Sequence, residues 1–166
     1  MEFNDFENLL GKHISNATNI LDNDFENKLF EKNFYYLKDE NINKSLNDMF
    51  FRSLIIMTNE KENIESVTIH FTKIINSNFY NQLTKTYGNP NEIKVIEKRE
   101  EVSQNLMEDN TFIQQVKKYN LELRDGTFEE NPLFINWIKS NFNVKVFQKV
   151  KQKTSDLTFE NNKKVN

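Results

Sequence analysis

Along residues 64–74 apolar and polar positions alternate: Val67, Ile69 and Phe71 point one way, Thr68, His70 and Thr72 the other. A period of two marks a half-buried strand. A few residues on, the period lengthens to four, and Phe79, Leu83 and Tyr87 form one helical stripe. Asn76 to Asn78 offer caps at its start, Gly88 supplies a left-handed stop, and Pro90 prevents resumption.

The same reading extends along the chain. Phe3, Phe6, Leu9 and Leu10 repeat at helical spacing, closed by Gly11. "NFYYLK" (33–38) reads as a strand, and "MFFRSLIIM" (49–57) as one buried on both faces. The polar loop "TNEKEN" then turns the chain back into 64–74 as a hairpin. "EIKVIE" gives a short strand after Pro90, and Val102, Leu106, Phe112, Ile113 and Val116 predict a helix within 100–118. Asp125-Gly126 signals a turn. "PLFINWIKS" and "FNVKVFQKVKQK" form a second hairpin about Ser140-Asn141, and "SDLTFE" a last strand.

Strands in runs, with helices inserted between them, predict an α+β fold. Its form would be an antiparallel sheet of hairpins or a meander, with helices packed on one face. A helix precedes strands in each half, which sketches two similar halves. Residues 1–160 form a single α+β domain in this reading, and 161–166 a frayed C-terminal tail. The 166 residues include 15 Phe, 5 Tyr and one Trp, so a 37% apolar fraction still supports a core.

Much chemistry is excluded by what is missing. Without cysteine there is no disulfide, thiolate metal site or cysteine nucleophile. Gly11, Gly88 and Gly126 are the only glycines, too far apart for a phosphate-binding loop or a nucleophile elbow. "DNDFEN" (22–27) opens like a calcium loop, but Asn27 and Asn33 occupy its required Gly and Glu positions, so it reads as an acidic surface. Glu92-Ile-Lys94 has a spacing some metal-dependent nucleases use, yet lacks a visible acidic neighbour. His70 has only threonines beside it on its own strand and is read as solvent-facing; His13 lies past a helix end. No catalytic residues, cofactor or metal are expected. "MEFNDFENLL" lacks the basic and apolar parts of a secretory signal, and no run of 18 apolar residues exists, so a cytoplasmic protein with no membrane contact is expected.

One surface stands out. Extending the alternation puts Phe142, Val144, Val146 and Val150 on one face and Lys145, Phe147, Lys149, Lys151 and Lys153 on the other. Residues 139–166 carry seven Lys against two carboxylates, a net of +5, whereas residues 1–138 carry a net of -8. Such a lysine ladder either guards an edge strand against pairing or meets an acidic protein partner. Nucleic acid is disfavoured because the whole chain is acidic. In size, acidity and α+β make-up the chain resembles small bacterial immunity and inhibitor proteins. The expected function is therefore a non-enzymatic protein-binding module, acting through the ladder or through an acidic surface of the N-terminal half. The rival is a small-ligand binder or an uncharacterised enzyme with an aromatic-lined pocket drawing on Tyr35, Tyr36, Tyr80, Tyr87 or Trp137.

Overall fold

The computed structural model of the protein describes residues 1–17, 26–27, 33–37, 44–109 and 112–162. Ten strands alternate with very little helix: β1 (Glu26–Asn27), β2 (Phe34–Leu37), β3 (Ser45–Leu46), β4 (Met49–Thr58), β5 (Ile64–Phe71), β6 (Glu92–Asp109), β7 (Phe112–Asp125), β8 (Phe134–Ile138), β9 (Phe142–Lys149) and β10 (Thr154–Asn161). They build one antiparallel sheet in the order β1-β2-β4-β5-β10-β9-β8-β6-β7, with β3 paired to β4 beside that path. Among the described residues, helix is confined to short segments, of which α1 (Phe3–Glu7) and α2 (Ser77–Tyr87) pack on the core.

Local chemistry accounts for these elements. Asn47 and Asp48 both take left-handed φ angles, 44° and 67°, which is how a two-residue hairpin loop joins β3 to β4. Asn76 caps α2 by accepting from the Phe79 amide at 2.9 Å, and Gly88 ends it with φ 78°. Alternation in β5, β9 and β10 buries Val67, Ile69, Phe71, Val144, Val146, Leu157 and Phe159 on one face. Phe3, Phe6, Phe79, Leu83 and Tyr87 from the helices complete that core, with Phe3 edge-on to Phe79 at 5.3 Å and Phe79 edge-on to Phe71 at 5.4 Å.

The expected α+β class is corrected by this architecture. The chain is mostly antiparallel sheet, and its short helices cover too little of it to form a layer. The expected helix within 100–118 is corrected too: the described residues of this stretch are strand in β6 and β7, which form a hairpin of 18 and 14 residues. Two bulges in β6, between Ile96 and Lys98 and between Glu101 and Ser103, disrupt its period of two. Of the residues behind the expected helix, Val102 and Leu106 lie in β6 and Phe112, Ile113 and Val116 in β7, so the apparent helical spacing runs across two strands. The two expected matching halves are corrected as well, because nothing described in β1–β5 corresponds to this long hairpin.

Asp125-Gly126 does follow a strand end, but Gly126 is required by close approach rather than by a left-handed turn. A Cβ there would sit 2.7 and 2.8 Å from the two methyls of Val95. Of the acidic run 22–27, only the backbone of Glu26 and Asn27 is described, and the rest lies outside the described residues. Residues 163–166 of the expected frayed tail also lie outside them, while Asn161 closes β10. Among the described residues, no helix is long and apolar enough to cross a membrane.

Candidate functional site

The outer face of the sheet, opposite the core, carries the sequence's candidate residues. Lys145, Phe147 and Lys149 lie together on it, as alternation in β9 requires. Lys151 and Lys153 do not continue the row. A 3₁₀ turn at Val150–Gln152 ends the strand, and Lys153 takes φ 56° to reverse the chain into β10. Val150, expected on the buried face, is 43% exposed for the same reason. No Gly, Pro or Asn marks this turn in "VKQKTS", so the strand reads too long from sequence.

The setting of β9 changes the meaning of its lysines. It lies inside the sheet between β8 and β10, whereas the ends of the described sheet are β1 and β7. Edge protection therefore does not explain these residues. Nor are all their charges free. Lys145 pairs with Glu160, and Lys149 Nζ lies 2.8 Å from Asp156 Oδ2.

Asp156 also binds His70. The two are register partners on β10 and β5, and His70 Nδ1 lies 2.7 Å from Asp156 Oδ1. A carboxylate only accepts, so Nδ1 carries a proton. Burial pushes the Asp156 carboxyl up, but hydrogen bonds from His70 and Lys149 outweigh it and hold the group below the usual carboxylate range. His70 is on the outer face as alternation predicts, yet its side chain is only 19% exposed. The carboxylate that its own strand lacks arrives from a strand near the other end of the sequence. Ser53 stands opposite His70 on β4, but no hydrogen bond joins them.

Beside this row lies a cleft of about 640 Å³ between the β6–β7 hairpin and the turn after β9. Ile96, Leu121, Leu133 and Phe147 give it apolar walls, and Arg99, Lys149 and Lys151 bring positive charge. Ile96 and Leu121 are 41% and 40% exposed, high for aliphatic side chains on one patch. Arg99 stacks over Tyr119 with its guanidinium 3.7 Å from the ring centroid, and Phe134 backs Phe147 at 4.9 Å. Glu130 also lines the cleft, but hydrogen bonds from Arg124 and from the Thr127 amide keep it ionised and engaged. Phe147, Lys149 and Lys151 thus share one concave surface, while Lys145 and Lys153 are outside it.

The remaining sequence candidates are engaged in structural contacts. The acidic neighbour missing for Glu92-Ile-Lys94 exists, since Asp125 stands opposite Lys94 at 3.0 Å. Lys94 bridges it to Glu92, and among the described residues no three His, Asp or Glu side chains are arranged to hold a metal. His13 Nε2 meets Glu62 at 3.1 Å. Of the aromatic tips, Trp137 is fully buried and donates to the Gly88 carbonyl, while Tyr35 and Tyr87 donate to Glu62 and Glu7. Tyr80 stacks on Phe128 at 4.2 Å. These rings pack the fold and do not line the cleft. No protein-family model, curated protein or solved structure matches this chain.

Proposed function

We propose that this protein is a non-enzymatic, cytoplasmic protein-binding module, of the kind that immunity and inhibitor proteins exemplify. Its contact surface is the cleft formed by Ile96, Arg99, Leu121, Phe147, Lys149 and Lys151. One observation carries the reading: exposed aliphatic side chains and basic groups converge there with a stacked arginine. Such a surface suits a partner segment that offers apolar side chains flanked by Asp or Glu. The apolar residues supply affinity and the charges supply orientation and encounter rate.

Selection from a displayed library of random peptides tests this. Enriched sequences should combine aliphatic or aromatic residues with carboxylates, and enrichment should vanish with Leu121→Asp or Lys151→Glu. Enrichment of basic peptides, or enrichment that both substitutions leave untouched, would remove the cleft as the contact surface. Nucleic-acid binding is the competing reading for the same lysines and would instead give binding that weakens steeply with salt.

A further inference from the structure

We infer that the chain self-associates by antiparallel pairing of its β7 strand with β7 of a second copy, centred on Asn120. β7 ends the sheet, and β6 is its only strand neighbour among the described residues. Its outer edge is a row of backbone donors and acceptors with no described strand beside it. Both bulges of the hairpin fall in β6: Leu123 and Glu122 are consecutive opposite Ile96 and Lys98, and Tyr119 and Lys118 opposite Glu101 and Ser103. The free edge is therefore continuous, without the kink that commonly blocks edge pairing. Neither Pro nor Gly interrupts Phe112–Arg124.

The side chains select a second copy as the occupant. Two-fold pairing about Asn120 sets Lys118 opposite Glu122 of the other copy, and Glu122 opposite its Lys118. Both are exposed, and Lys98, which stands opposite Glu122 on β6 of the same chain, pairs with Glu100 instead. On the other face the same register sets Tyr119 opposite Leu121, an aromatic–aliphatic cross-strand pair of a favourable kind, made twice. Shifting the centre by one residue to Leu121 would oppose Lys118 and Arg124, which disfavours that register. An isologous contact of this kind closes at two copies and does not propagate. Lys118 and Glu122 alternate with the cleft residues Tyr119 and Leu121 and face away from them, so substituting the two charged residues leaves the cleft side chains in place.

The test is the solution mass of the full chain by light scattering or sedimentation, from about 1 to 100 µM. Wild type should move from 19.9 kDa toward twice that value. Lys118→Glu and Glu122→Lys should each weaken association at least tenfold, since each places like charges opposite one another twice. Mixing the two variants in equal amounts restores both opposite-charge pairs and should restore the dimer. A wild type that stays monomeric throughout would overturn the inference. So would a mixture that associates no better than either variant alone.

Discussion

His70 on β5 and Asp156 on β10 are 86 residues apart in sequence, yet Nδ1 and Oδ1 lie 2.7 Å from each other. Lys149 on β9 completes the row from the far side at 2.8 Å. Three strands are thus tied together on the outer face through one carboxylate, and that same lysine lines the cleft.

Replacing Asp156 with Asn should therefore destabilise the fold in a pH-dependent way. A carboxyl held below its unfolded value stabilises the native state above that value, about 3.9. The contribution is lost as pH falls through the depressed native value. In urea unfolding, the variant should be less stable by about 1.5–3 kcal/mol at pH 6, the range for hydrogen bonds to charged groups. The gap should close as pH drops below about 4. A gap that persists unchanged in strong acid would show that the loss comes from packing instead.

Gly126→Ala tests close approach. The added methyl meets the Val95 methyls, and Val95 is itself buried at 2% exposure. A loss of about 1–3 kcal/mol is expected, typical of overpacking. Combining it with Val95→Ala should cost less than the sum of the two single changes, because the second change vacates the space the first one fills. Strict additivity in urea unfolding would contradict the contact.

How far the sequence carried depended on whether burial imposed its period. Along β5 and α2, one face is buried and Val67, Ile69, Phe79 and Leu83 reveal the element directly. In the β6–β7 hairpin, Ile96, Val102, Leu121 and Leu123 remain exposed, so past Val95 burial imposes little alternation on the described side chains, and the bulges in β6 disguise what is left. The site was legible in part for a related reason. Lys145, Phe147 and Lys149 share a face by strand geometry alone. Their joining with Arg99 and Leu121 is a long-range consequence of β6 following β8 in the sheet, and that order leaves no local trace. The His70–Asp156 pair was hidden in the same way. A scan for lone histidines opposite carboxylates on other predicted strands would have raised it.

Asn76→Ala should lower stability by about 1 kcal/mol through loss of the α2 cap, with Asn76→Asp or Ser recovering most of it. Thermal melting followed by circular dichroism measures this. An alanine variant that melts with wild type would mean that tertiary packing of Phe79 and Leu83 alone fixes the helix start.

Capture of a partner from nuclease-treated extract of the source cells, by the immobilised full chain and four variants, tests whether the cleft is the contact surface. Lys151→Glu and Leu121→Asp change the cleft; Lys145→Glu and Lys153→Glu change lysines of the sequence ladder that lie outside it. One stoichiometric protein should be retained by wild type and by the Lys145 and Lys153 variants, and lost from both cleft variants. Loss from all three lysine variants alike, with Leu121→Asp still binding, would assign the contact to diffuse positive charge and contradict the cleft.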